Sequence, residues 1–187
     1  TAQAAANGVA TIPLLGYDWG PRGEWIVLHS GTPDANKVKL GRSVYDDSNT
    51  FMMQLALILM GAETVYVYIP DIGAKASATK TLDSKTVTFT AKYKGTLGNK
   101  ISIVCTANVV SGFDVSIYLD GELVESMEGL TNVADIDSEW IDATATGTVP
   151  LEAFASQALT GGTDGTLSNA EVRAYLDAAE GIRFNCM

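Results

Sequence analysis

Residues 113–127 read FDVSIYLDGELVESM, in which Asp120 and Gly121 separate two segments of β-forming residues. Asp-Gly is a strong signal for a two-residue β-hairpin turn, because both turn positions favour residues that tolerate positive φ. Two more segments of this kind precede the hairpin, KTVTFTAKY at 85–93 and KISIVCTAN at 100–108. Short strands separated by turns at regular intervals predict a small all-β unit, either a sandwich or a barrel.

The residues before this β region predict further strands. EWIVLH at 24–29 and TVYVYI at 64–69 are rich in apolar, β-branched and aromatic residues, and Pro70 closes the second segment. The apolar segment 9–15 contains Pro13, which a central strand does not tolerate. We therefore expect an edge strand at 9–15, or a strand that ends early.

A helix is predicted between the segments 24–29 and 64–69. Ser48 or Asn49 can cap its N-terminus, and Gly61 ends it. Because this helix is apolar almost all round, we expect it to be a core helix that is buried on more than one side. Strand, helix and strand in this order predict the start of an α/β layer.

The C-terminal region predicts a second helix. Ser168 precedes Glu171 by three residues, which is the spacing of a capping box, and Gly181 ends the helical pattern. Residues 182–187, IRFNCM, have the character of another strand. A second strand–helix–strand unit therefore stops inside an element, and we expect the chain to be a fragment.

Composition and charge exclude several classes of protein. The 187 residues include 22 Asp and Glu against 12 Lys and Arg, which gives a formal net charge of −10. Proteins that bind nucleic acid or anionic membranes through charge need a basic face, so we expect neither partner. The longest apolar run, at 55–61, is far shorter than the roughly 20 residues that a membrane span needs.

The cysteines predict a protein made in the cytoplasm. Cys105 and Cys186 lie far apart in the sequence and form no CxxC pair. We interpret them as two buried free thiols, while a single disulfide stays open as the alternative.

No pattern in the sequence predicts an active site. His29 is the only histidine, and at the end of a predicted strand we interpret it as structural rather than as a general base. The sequence contains no GxSxG, Walker or HExxH motif. We therefore expect a protein that is not an enzyme and that has no catalytic, cofactor-binding or metal-ligating residues.

Two loops leave a small-ligand or divalent-ion site open. The Gly-rich loop 161–165 precedes a helix, as phosphate loops do, but Asp164 places negative charge where a phosphate would bind. Residues 135–139 resemble the first half of a calcium loop, but Trp140 and Thr146 stand where that loop needs Gly and Glu. We interpret both loops as structural.

Residues 113–152 contain ten acidic residues and no basic one. A solvated face is the simplest interpretation, and a surface for a charged partner is the functional one. Charge reversal at Glu122, Glu125 and Glu128 would test the second interpretation, which fails if assembly is unchanged.

Four segments, in this order and at these intervals, resemble the sheath protein of contractile phage tails and of related phage-tail-like bacteriocins. GVATIPL at 8–14 leads into a WGP turn, and AKYKGTLGN at 91–99 is similar to an aromatic–Pro–Gly–x–x–Gly–Asn signature, with Lys94 in place of Pro. The hairpin at 113–125 follows, and then LTGGTDG at 159–165. The residues that carry the resemblance are Trp19, Gly20, Pro21, Tyr93, Gly95, Gly98, Asn99, Gly161, Gly162, Asp164 and Gly165.

The resemblance implies an α+β fold in which an α/β domain is interrupted by an inserted small all-β domain. Residues 1–79 would form the first part of the α/β domain, residues 80–160 the insertion, and residues 161–187 the return to the α/β domain. Family members also carry an N-terminal arm and a large C-terminal part, which this chain lacks. Because extended arms add strands to neighbouring subunits, we expect this fragment to be monomeric.

By resemblance the function is mechanical. Sheath subunits polymerise helically around a tail tube, and a baseplate triggers a contraction that drives the tube through the target envelope. The implied partners are neighbouring sheath subunits, the tail tube and the baseplate, and the implied location is the tail of a virion or phage-tail-like particle. Another, non-contractile phage structural module remains the main alternative, beside the small-ligand or divalent-ion module.

Overall fold

A computed structural model describes residues 8–32, 37 and 39–183. Their contacts divide them into two compact units. The first unit contains the described residues up to Ile72 and from Asp164 onward, and the second contains Gly73–Thr163. Most of the regular structure is β-sheet, with few helices.

The first unit contains a mixed three-stranded sheet. Its strands are β1 (Val9–Pro13), β2 (Trp25–His29) and β3 (Thr64–Tyr68), in the order β1-β3-β2. β1 runs parallel to β3, whereas β2 runs antiparallel to it. The sequence predicted all three strands, and the edge position of β1 confirms the prediction from Pro13.

Helix α1 (Thr50–Gly61) connects β2 to β3 in sequence. The Asn49 side chain accepts hydrogen bonds from the backbone N–H groups of Phe51 and Met52, at 3.0 and 3.2 Å, which confirms the predicted N-cap. The predicted burial on more than one side is wrong. Met52 and Leu55 are fully buried, but Leu57 is 70% exposed and Met60 is 81% exposed.

Helix α2 (Asn169–Ala179) confirms the predicted capping box of Ser168 and Glu171. Its buried residues Tyr175 and Ala179 form a small core cluster with Tyr68 of β3. The strand predicted at 182–187 lies mostly outside the described residues. Within the described part of the chain, no helix has the length and hydrophobicity to cross a membrane.

The second unit is a β-sandwich of two antiparallel sheets. One sheet has the order β10-β6-β7-β8 and the other has the order β4-β5-β9. The strands are β4 (Lys75–Leu82), β5 (Lys85–Lys94), β6 (Ile101–Ala107), β7 (Phe113–Leu119), β8 (Glu122–Leu130), β9 (Ile141–Ala145) and β10 (Phe154–Ala158).

Alternate residues of the central strands fill the sandwich core. On β5, Val87, Phe89 and Ala91 are fully buried, and their sequence neighbours are more exposed. Phe89 meets Phe154 of the other sheet, with ring centroids 5.9 Å apart. The all-β unit and its hairpin at Asp120 were therefore predicted correctly from the alternation.

Cys105 lies on β6 in this core. It is a buried free thiol, as predicted, and burial raises its pKa to about 11. The thiol is therefore protonated at neutral pH. The other half of the prediction, Cys186, lies outside the described residues.

Three strands of the sandwich were not predicted, namely β4, β9 and β10. Ala, Ser, Lys and Gln make up much of β4 and β10, so their composition carries little β signal. Residues 132–144 are polar, and their sequence is ambiguous between a loop and a short helix. The structure has a 3-10 turn at Val133–Asp135 there, followed by the start of β9.

Candidate functional site

The first part of the candidate site lies where the chain enters and leaves the β-sandwich. Ala74 and Thr163 exchange two backbone hydrogen bonds of 3.0 and 3.1 Å, and Ser77 and Thr160 exchange two of 2.8 and 3.1 Å. These four bonds hold the incoming and outgoing segments of the sandwich in an antiparallel pair. We name residues 74–77, 95–99 and 160–163 the Asn99 cluster.

The side chain of Asn99 joins the two Gly-rich segments that the sequence singled out. Its Nδ2 donates to the carbonyl oxygen of Gly162 at 2.9 Å, and its Oδ1 accepts from the N–H of Gly162 at 2.8 Å. The amide thus pairs with the backbone as a neighbouring strand would. Both bonds need a donor and an acceptor on one planar group, which Asn provides and a carboxylate does not.

Glycines are required in this cluster because the backbones approach closely. A Cβ on Gly162 would lie 2.4 Å from the carbonyl oxygen of Gly95. A Cβ on Gly98 would lie 3.0 and 3.1 Å from the Cβ atoms of Ala76 and Ala91. Gly95 itself has φ 130°, which other residues rarely adopt. The spacing of these glycines therefore has a steric cause.

Two backbone N–H groups of the Gly-rich loop at 161–165 already have partners within the protein. The N–H of Gly162 is donated to Asn99, and the N–H of Thr163 is donated to Ala74. Gly161 and Gly165 have φ values of 84° and 81°, which is the geometry of tight turns. This arrangement agrees with the interpretation of the loop as structural.

Within the first unit, the turn at Trp19–Pro21 forms a second set of motif residues. Trp19 is fully buried, and Gly20 has φ 107°, with space for a Cβ blocked by the carbonyl oxygen of Lys39 at 2.9 Å. The half-buried Arg22 follows the turn. Its guanidinium donates to the carbonyl oxygens of Tyr17 at 2.9 Å, Pro70 at 3.4 Å and Asp164 at 3.5 Å. Arg22 thereby connects the turn to the end of the β3 region and to Asp164.

A second arginine fixes the other side of this turn. Arg42 binds both carboxylate oxygens of Asp18, each at 2.6 Å, in a bidentate ion pair that is about four-fifths buried. This hydrogen-bonded partner raises the pKa of Arg42. Burial raises the pKa of the adjacent Tyr17 to about 12. Both groups keep a single protonation state at neutral pH, so they act as fixed structural contacts.

Sequence reasoning missed Arg22 and Arg42. Their signal was weak, because an arginine in a loop is normally a solvated side chain. The one available hint was composition, since basic residues are scarce in this chain and one of them, Arg22, directly follows the WGP turn.

Several carboxylates of the acidic region 113–152 hold neighbouring loops in place. Glu125 accepts hydrogen bonds from Ser138 Oγ and from the N–H of Glu139, and Asp114 accepts from Asn108 and the N–H of Gly129. Charge reversal at Glu125 would therefore also disrupt a loop. Glu122 and Glu128, which are exposed on β8, are the better positions for that test.

The calcium-like segment is used in the same way. Asp135 caps its own 3-10 turn by accepting from the N–H groups of Thr131 and Asn132, and these bonds lower its pKa. Among residues 8–32, 37 and 39–183, no group of three or more His, Cys, Asp or Glu side chains is placed to hold a metal ion. His29 is exposed at the end of β2, with Nδ1 3.4 Å from the Thr64 hydroxyl.

Tyr93 lies near the end of β5 and is half-buried. Gly95, Gly98, Asn99 and Gly162 thus come together in the Asn99 cluster, and Asp164 meets the residues of the WGP turn through Arg22. The role of these residues as family motifs stays a prediction. Their contacts are those of structural residues, which fix turns and backbone crossings.

Comparison with known proteins identifies the sandwich. Residues 71–164 match the family model described as the phage tail sheath protein beta-sandwich domain. The whole chain is similar to two solved structures of sheath tail proteins. The protein from Desulfitobacterium hafniense has 30% identity and a TM-score of 0.81, over 99% of this chain and 42% of that one. The protein from Listeria innocua has 34% identity and a TM-score of 0.80, over 97% and 40%.

Two proteins of Bacillus subtilis are also similar. One is the uncharacterised protein YqbK, 32% identical over 95% of this chain. The other is the phage-like element PBSX protein XkdK, 30% identical over 96% of this chain. The chain spans 40% of the length of each of these two relatives.

Proposed function

The chain belongs to the phage tail sheath family, and we propose that it is the part of a contractile sheath subunit that assembles helically around a tail tube. Contraction of the sheath would drive the tube through the target envelope. The observation that carries this proposal is the match of the sandwich to the sheath family, together with similarity to sheath tail proteins over nearly the whole chain. A tail particle is the proposed location, and the role is structural rather than enzymatic.

The proposal includes the organisation of the domains. An α/β domain would be interrupted by the β-sandwich, with the boundaries drawn near 72/73 and 163/164. The boundaries predicted from the sequence are 79/80 and 160/161, and the first of them would divide β4, which runs unbroken over Lys75–Leu82. The paired segments of the Asn99 cluster support the idea that the chain leaves and rejoins the first domain at one place.

Contraction by rigid-body movement requires subunits that do not deform. Packed cores resist continuous deformation, so movement concentrates at contacts between subunits. The close backbone approach at Gly162, the Asn99 bonds and the Arg42–Asp18 ion pair would keep the fold of each unit fixed during such movement. The driving free energy would then be a small difference between two packings, summed over many subunits.

The proposed partners are neighbouring sheath subunits, the tail tube and the baseplate. Exposed acidic residues on the edge strand β8, among them Glu122 and Glu128, would orient docking onto a basic patch of a partner. Charge reversal at these two positions is expected to impair assembly without unfolding the subunit. The chain by itself is proposed to be monomeric.

The test is deletion of the gene that encodes this sequence, followed by negative-stain electron microscopy of induced tail particles. Bare tubes that regain a sheath on complementation are expected. Particles with an intact sheath after deletion would contradict the proposal. Absence of contracted particles after complementation, with the sheath present, would favour a non-contractile structural module.

A further inference from the structure

Helix α1 has an apolar face that is exposed among the described residues of the first unit. Met53, Leu57 and Met60 are 49%, 70% and 81% exposed, and the nearby Tyr45 is 68% exposed. With Val44 and Ala56, they line a groove of about 280 Å³. Contiguous apolar surface of this kind marks an interaction site more often than single exposed side chains do.

The sequence of α1 is that of a helix buried on two sides. Residues 50–61 contain no charged side chain, and the polar residues are Thr50 and Gln54. Helix α2 shows the ordinary pattern of a surface helix, with Arg173 and Asp177 at exposed positions. The expectation that α1 is a core helix thus fails within the described residues, although its composition supports it.

Charge argues against a second copy of this chain as the occupant. Asp46 and Asp47 stand at the rim of the groove. Across a symmetric contact these carboxylates would face their own copies, in a chain whose net charge is already −10. An apolar segment flanked by Lys or Arg would instead complement both the floor and the rim of the groove.

Length indicates the source of that segment. The chain spans only 40% of the length of YqbK and XkdK and 42% of the sheath structure from D. hafniense. Subunits of this family therefore contain a larger portion that has no counterpart in these 187 residues. We propose that an apolar segment with basic flanks, from that portion of the same sheath subunit, packs into the α1 groove. The proposal rests on membership of the family and not on contraction.

The experiment compares the 187-residue chain with the subunit that contains every residue its gene encodes. A double variant, Leu57→Lys with Met60→Lys, would place two charges in the groove. In the full subunit we expect Tm to fall by at least about 5 °C, because buried charges without partners destabilise strongly. In the 187-residue chain we expect a shift of less than about 1 °C. Gln54→Lys, a change at an exposed position of the same helix, is the matched control and should leave the Tm of both proteins unchanged.

Hydrogen exchange of the unmutated proteins keeps the test decisive if the double variant does not fold. Amides of α1 should exchange at least about ten-fold more slowly in the full subunit than in the 187-residue chain. Equal exchange, or an unchanged Tm in the full subunit, would overturn the proposal. So would a gene that encodes no further residues, a dimer of the 187-residue chain that Leu57→Lys separates, or loss of tail assembly while the Tm of the full subunit is unchanged.

Discussion

At the scale of single residues, the glycines of the Asn99 cluster show how a sequence motif follows from sterics. The Gly-x-x-Gly-Asn pattern at 95–99 looks weak in isolation, because such spacing occurs often by chance. In the folded chain each of these residues has a defined contact. Gly98 lies against two alanine Cβ atoms, and the side chain of Asn99 forms hydrogen bonds with a glycine 63 residues away. A sequence alone cannot give that partner, because the bond depends on the path of the intervening strands.

Gly162→Ala and Gly161→Ala separate the effect of close approach from that of backbone conformation. A Cβ at Gly162 would be 2.4 Å from the carbonyl oxygen of Gly95, so the backbones must move, and we expect a loss of about 3 kcal/mol in the free energy of unfolding. A Cβ at Gly161 meets no atom within 4 Å, so the only unfavourable effect of Gly161→Ala is backbone strain at its φ of 84°. We expect this strain to lower the free energy of unfolding by about 1 kcal/mol. Urea denaturation of the two variants measures both.

Gly31→Ala is the control, since its Cβ would meet nothing within 4 Å and its φ is not positive. This change should alter the free energy of unfolding by less than about 0.5 kcal/mol. If Gly162→Ala lowered the free energy of unfolding no more than Gly161→Ala does, the steric explanation of the motif would be wrong.

At the scale of elements, the sequence predicted those with strong local signals. The alternation of β5, β6 and β7, the Asp120-Gly121 turn and the caps at Asn49 and Ser168 were all recognisable. β4, β9 and β10 were missed, because pairing with longer neighbours determines them more than their own composition does. The burial of α1 was predicted wrongly, because apolar residues show that a partner is needed but not whether it lies within these residues.

The capping box of α2 predicts a dependence of stability on pH. Hydrogen bonds from Ser168 lower the pKa of Glu171 in the folded chain below its ordinary value of 4.5. Its contribution to stability is therefore present above that ordinary pKa and is lost as the pH falls through the lowered one. Ser168→Ala removes the hydroxyl that binds both Glu171 and the N–H of Ala170.

We expect Ser168→Ala to cost about 1 kcal/mol at pH 7 and less at an acidic pH below the lowered pKa of Glu171, because protonation of that carboxyl removes its bond to the Ser168 hydroxyl in the unmutated protein as well. Urea denaturation at the two pH values gives the difference directly. Ser111→Ala, which changes an exposed serine on the β6–β7 turn, serves as the control. A loss that is equal at both pH values would show that Glu171 takes no part in the cap.

At the scale of the whole molecule, the two units differ in how many strands have a hydrogen-bonded neighbour strand on both sides. In the four-stranded sheet β6 and β7 are both flanked, whereas in the described part of the three-stranded sheet only β3 is. In the 187-residue chain we therefore expect the amides of β6 and β7 to exchange more slowly than those of β1 to β3. Hydrogen exchange with mass spectrometry measures this, and slower exchange in β1 to β3 would contradict it.

The family could be inferred from the sequence, but the mechanical role could not be derived from composition or charge. No single residue performs a chemical step in the proposed function, so there is no reactive group to recognise. Two of the four motif segments, 91–99 and 159–165, meet in the Asn99 cluster, where close backbone approach gives a steric reason for their glycines. Assembly depends on surfaces, and a surface such as the α1 groove becomes visible only in the folded chain.

The most direct test of the central claim is immunoelectron microscopy of tail particles from the strain that encodes this sequence, with an antibody against the β-sandwich. A sheath subunit is present in many copies along the tail, so gold particles should decorate the tail at regular intervals from end to end. Deletion of the gene should abolish the label. Label confined to one end of the tail or to the capsid, or intact tails without any label, would contradict the assignment as a sheath subunit.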